Sequence, residues 1–141
     1  MRLHNITGMT FMAEMAITKK RPKNLDLPTI RLPLPGILSI IHRISGAVIF
    51  LLLPFLLWLL QGSLASAETF AVVKGVVGHP LAKLVLLGLI WLYMHHFCAG
   101  IRYLMLDLHK GIDLESARLS SKVVFAVSIA LTLIIGAKVL W

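Results

Sequence analysis

The sequence predicts an all-α integral membrane protein: three transmembrane helices behind an N-terminal membrane-surface segment, oriented N-inside and C-outside. Three observations carry this. Of 141 residues, 58% are hydrophobic and only 14% charged, and the mean hydropathy is +0.89. A soluble domain carries about 25% charged residues, so a soluble enzyme, a disordered chain and a water-soluble coiled coil are excluded. The second observation is three runs without a charged residue: 24 residues from Ile44 to Ala67, 18 from Leu84 to Ile101 and 15 from Val123 to Ala137. The third is the placement of the 14 Lys and Arg residues that set the net charge of +8. Seven precede Ile44, two lie between the first and second runs, four between the second and third, and one follows the third. With the N-terminus inside, eleven are cytoplasmic and three external, as the positive-inside rule requires. The basic excess therefore reads as topology and not as a nucleic-acid partner, because nucleic-acid-binding proteins do not carry such apolar runs.

The elements follow in chain order. Residues 1–38 form a cytoplasmic segment in which Pro22, Pro28, Pro33 and Pro35 prevent a continuous helix. Leu25–Gly36 mixes apolar residues with Asp26 and Arg31 and is expected to run along the membrane surface. No compact apolar core follows a basic start, so no secretory signal is expected, and Met15 is an alternative start to Met1. Residues 39–141 form the transmembrane domain, with spans expected at about 39–60, 81–103 and 120–140. A bilayer core of about 30 Å needs about 20 helical residues. The third run reaches this length because Lys122 and Lys138 can snorkel from its ends. Trp58 and Trp141 are expected near the outer interface, where tryptophan is enriched. The single cysteine, Cys98, excludes an internal disulfide and reads as a small core residue.

Ionisable groups within hydrocarbon are costly and point to function. The first cluster is Ser39-Ile40-Ile41-His42-Arg43-Ile44-Ser45-Gly46. Helical spacing puts Ser39, His42, Arg43 and Gly46 in one polar stripe at the cytoplasmic end of the first span. Arg43 offers a fork of five donors suited to carboxylates, and Ser39 a hydroxyl suited to a carbonyl. The plainer reading is a basic helix end reaching for headgroups. The second cluster is His95-His96. One of these could simply bond a neighbouring helix; alternatively imidazole ligates a metal, haem iron above all. Gly100, one turn after His96, would leave room for a flat macrocycle. Adjacent residues point about 100° apart on a helix, so His95 and His96 do not serve one site together. His96 lies six residues before Arg102, roughly 9 Å inside the cytoplasmic boundary. Arg43 and His96 then share the inner half of the bilayer, one able to neutralise a propionate while the other holds iron. Asp107 reads as a partner of Arg102 or as a helix-end residue.

These motifs resemble a known family. Arg21-Pro22, Asn24-Leu25-Asp26-Leu27, Ser39-x-x-His42-Arg43-x-Ser45-Gly46 and His96-x-x-x-Gly100-Ile101-Arg102, with the three-span layout, are similar to the cytochrome b556 subunit of bacterial succinate dehydrogenase over roughly Lys20 to Trp141. The resemblance implies a subunit of an inner-membrane complex that pairs with a second small membrane-anchor subunit and holds a flavoprotein and an iron–sulfur protein. Succinate is then oxidised on the flavoprotein, and this chain carries no succinate-oxidising site. It further implies haem b shared with the second anchor subunit, with His96 as the axial ligand here. His42 and Arg43 are implied near the propionates, and Ser39 and Arg43 at ubiquinone. Tyr103 stands where a familiar enterobacterial member has histidine, and a hydrogen bond to a propionate is the role left to it. The alternatives are a fumarate reductase anchor, which runs the same chemistry backward, and a cofactor-free membrane scaffold or transporter.

Overall fold

A computed structural model describes residues 29–141, so the expectations for residues 1–28, including the Met15 start and the first four residues of the Leu25–Gly36 surface run, lie outside the described residues. Four helices, all within the unit Leu32–Trp141, make up the fold: α1 (Leu34–Ala65), α2 (Ala67–Gly78), α3 (Pro80–Asp107) and α4 (Leu114–Leu140). No strand occurs among the described residues. Helices α1, α3 and α4 are each long and apolar enough to cross a membrane.

All three outrun the spans expected at 39–60, 81–103 and 120–140. At 1.5 Å per residue, the 32 residues of α1 extend about 48 Å, past a hydrocarbon core of about 30 Å. Uncharged runs mark the part of a helix in hydrocarbon, whereas caps mark its ends. Pro35 occupies the first turn of α1, where its missing N–H costs nothing. Pro54 lies inside α1, as membrane helices tolerate. Pro80 opens α3, whose cap His79 accepts the Leu81 N–H on Nδ1 at 3.2 Å. Asp113 caps α4 by accepting the Ser116 N–H at 2.8 Å. That amide bond holds the Asp113 carboxyl below the usual carboxylate range.

Helix α2 is not anticipated by the apolar runs. It is separated from α1 by one extended residue, Ser66 (φ −157°, ψ 161°). Ser66 Oγ accepts the Thr69 N–H at 3.1 Å, and Thr69 Oγ1 accepts the Ser66 N–H at 3.2 Å. This reciprocal cap starts a new helix immediately where the old one stops. The α3–α4 turn takes its shape from His109 and Gly111, both with positive φ (58° and 71°).

The long helices pack antiparallel in sequence, α3 against both α1 and α4. The buried face of α4 is Ser121, Val124, Ser128, Thr132, Gly136 and Leu140, spaced at one helical turn. Ser121, Ser128 and Thr132 return their hydroxyls to carbonyls of their own helix, at 2.7, 3.0 and 2.7 Å. The stripe is therefore smooth and close-packing, as small residues permit between membrane helices. A Cβ on Gly136 would stand 2.5 Å from Leu87 Cδ1, so Leu87 fills the notch this glycine leaves. Lys83 Nζ sits 4.9 Å from the centroid of the Trp141 ring, joining the start of α3 to the end of the chain. Phe50, Leu51 and Trp58 of α1 are 73, 74 and 65% exposed, a surface suited to lipid or apolar partners.

Candidate functional site

The two polar clusters meet between α1 and α3. His42, Ser45 and Gly46 face His96, Gly100 and Tyr103, and the His42 and His96 rings stack with centroids 4.3 Å apart and planes 11° off parallel. Ser45 Oγ donates to the His42 carbonyl at 2.8 Å, which commits its proton. Its lone pairs face His96 Nδ1 at 3.1 Å, and the His42 carbonyl lies 3.1 Å from the same nitrogen. Two acceptors around Nδ1 require it to be the donor. The tautomer follows: Nδ1 carries the proton and Nε2 carries the free lone pair. Histidines that ligate metals are oriented in this way, donating one N–H to a carbonyl and presenting the other nitrogen. An interhelical bond and a ligand role therefore use different nitrogens of His96 and do not compete.

Two glycines shape the space. A Cβ on Gly46 would stand 2.8 Å from His96 Cε1, so the ring lies where only glycine admits it. At Gly100 a Cβ would approach His42 Nε2 to 3.9 Å, an ordinary contact. Gly46→Ala is expected to push the His96 ring off its Nδ1 anchors and to destabilise the α1–α3 contact by roughly 1–3 kcal/mol, the usual cost of overpacking. Thermal unfolding in detergent checks this; an unchanged midpoint would show that the helices separate freely.

Tyr103 lies beside the stack, its ring 5.0 Å from His42, with a buried hydroxyl that has no partner among the described residues. Ser39 is half-buried and Arg43 exposed, one turn apart on α1. The structure thus brings His42, His96 and Tyr103 together, with Ser39 and Arg43 at the N-terminal end of the same helix. Arg102 turns away to α4, where Nε donates to Ser120 Oγ at 2.9 Å and Nη2 to the Ala117 carbonyl at 3.4 Å. Asp107 is the last residue of α3. Cys98 is partly buried and packs on the core of Leu38, Ala99 and Val124.

His95 takes a different side of α3. It is fully buried between Trp91 and Phe125, with ring centroids 5.5 and 5.1 Å away, and neither ring nitrogen has a partner among the described residues. Sequence reasoning missed Ser45 as the group that holds His96 and Gly46 as the residue that admits its ring. Their signal was the spacing from His42, three and four residues.

The chain matches the family model described as succinate dehydrogenase/fumarate reductase transmembrane subunit over residues 17–135. It is 39% identical over 118 residues to the succinate dehydrogenase cytochrome b556 subunit of Coxiella burnetii, covering 83% of this chain and 94% of that one. Its counterpart in Paracoccus denitrificans is 33% identical over 114 residues, covering 81% and 88%. That of Rickettsia felis is 27% identical over 119 residues, covering 84% and 93%. The three long apolar helices, the stacked histidines between two of them and these matches lead to one assignment: the chain belongs to the transmembrane subunits of succinate dehydrogenase and fumarate reductase.

Proposed function

We propose that this chain is the haem b-binding anchor subunit of a succinate:ubiquinone oxidoreductase, a multi-pass protein of the bacterial inner membrane with its N-terminus in the cytoplasm. The observation that carries this is His96, pinned through Nδ1 and left with a bare Nε2. The residues fit the group: Gly46 admits the ring, and the unpartnered Tyr103 hydroxyl waits for an acceptor. His96 would hold the iron, with a second small anchor subunit contributing a further ligand. His42 and Arg43 neutralise the propionates, and Tyr103 donates to one of them. The haem supplies a one-electron redox centre when bound.

Ser39 and Arg43 bind ubiquinone at the same end of α1. Ser39 donates to a carbonyl oxygen, and the Arg43 guanidinium faces the charge that develops there on reduction, the arrangement by which preorganised donors lower a barrier. Succinate oxidation occurs on the flavoprotein, and the iron–sulfur protein links it to this site; the anchor holds both to the bilayer. The test is purification through a tag on this chain, followed by a dithionite-reduced difference spectrum and flavin analysis. A b-type band with co-purifying flavoprotein is expected. Absence of both would replace this reading with a cofactor-free scaffold or transporter, and preferential fumarate reduction from a low-potential quinol would make the complex a fumarate reductase.

A further inference from the structure

A second site lies on the far side of α3 from His96. A cavity of about 540 Å³ opens between α3 and α4 beside their connecting turn. Helical spacing sets Ile101 and Met105 roughly opposite His96 around α3. With Val123 and Val127 of α4 they form an apolar wall, each 42–50% exposed, so the cavity opens sideways to the membrane. Arg102 and Lys110 stand at the polar end, and no acidic residue lines the cavity.

Arg102 is the unusual member. Its side chain is only 8% exposed, and its two hydrogen-bond partners, Ser120 Oγ and the Ala117 carbonyl, are neutral. No carboxylate among the described residues pairs with it. A guanidinium removed from water without a counter-charge is costly. Lys110, exposed and with no carboxylate partner among the described residues, adds a second cation at the same mouth. The missing component is an anion, and the wall below requires that it carry apolar chains.

We propose that this cavity binds one anionic phospholipid of the leaflet at the α3–α4 turn, its phosphate between Arg102 and Lys110 and an acyl chain along Ile101, Met105, Val123 and Val127. Basic pockets between membrane helices have this chemistry, and the volume lies within the roughly 300–1,000 Å³ of small-ligand sites. The site needs only that the chain resides in a membrane and is independent of the haem and quinone assignments.

The test uses the whole complex, delipidated in detergent and re-exposed to micelles containing phosphatidylglycerol or phosphatidylcholine, with bound lipid counted by native mass spectrometry. Wild-type complex is expected to retain one phosphatidylglycerol in preference to phosphatidylcholine. Lys110→Gln, in an exposed turn that leaves the fold alone, is expected to weaken retention about fivefold, the equivalent of roughly 1 kcal/mol per basic residue. Arg102→Gln is expected to weaken it further. Lys110→Gln keeps the wild-type absorbance spectrum, since the cavity faces away from His96. Equal retention of the two lipids, or retention unchanged in both variants, overturns the proposal. So does displacement by millimolar inorganic phosphate, which marks a free-anion site, or a photo-crosslinker at Val127 that captures a subunit of the complex instead of lipid.

Discussion

Replacing His96 with leucine is expected to abolish the b-type absorbance of the purified complex, whereas His95→Leu leaves it in place. The two histidines are adjacent, and α3 gives them opposite circumstances. The His96 Nδ1 proton is shared between the His42 carbonyl and Ser45 Oγ, each 3.1 Å away, so the ring is oriented and Nε2 is presented. His95 has no such support among the described residues: both nitrogens are buried without partners there, beside Trp91 and Phe125. Losing an orienting partner alone typically costs 10–100-fold in metal affinity, and losing the ligand costs at least that. His95→Leu removes a buried polar group and fills the same space with a hydrocarbon, which is neutral or stabilising. The two variants are therefore separated both by the spectrum, lost in one and kept in the other, and by the thermal midpoint, lowered only in His96→Leu. Loss of the band in His95→Leu with its retention in His96→Leu would transfer the ligand role to His95.

The contrast also shows what the sequence could disclose. The three spans were legible because hydrocarbon excludes charge, and the runs bounded by Arg43, Lys83, Arg102, Lys122 and Lys138 record that exclusion. Helix ends were not, because they depend on caps such as Ser66 with Thr69 and Asp113 with Ser116, which act by hydrogen bonding and leave no mark on hydropathy. Helix α2 was missed for the same reason. At the site, spacing alone put His96 and Gly100 on one face. It did not reveal that α1 presents His42 to that face, nor that Ser45 fixes the tautomer, since both depend on how two helices meet. Arg102 is the clearest case. Its neighbours in sequence suggested Asp107, yet its bonds run across the turn to Ser120 and Ala117, because α4 packs on that side of α3.

Arg43→Ala is expected to lower ubiquinone reductase activity by about a hundredfold while leaving succinate oxidation by a soluble dye acceptor unchanged. Arg43 is exposed in this chain, and no carboxylate among the described residues occupies its guanidinium. Its five donors have no partner among the described residues and can serve a ligand or a partner subunit. Removing one preorganised donor aimed at developing negative charge typically costs 10²–10³ in rate, and a charged donor stands at the stronger end of hydrogen bonding. The dye accepts electrons before the membrane, so flavoprotein chemistry does not pass through Arg43. Arg43→Lys separates charge from geometry. An ammonium keeps the positive charge but lacks the planar fork, so a partial recovery is expected if charge dominates and none if bidentate contact does. Equal loss of both activities in Arg43→Ala would instead make Arg43 a residue that docks the soluble subunits, because detachment removes every electron path to the membrane at once.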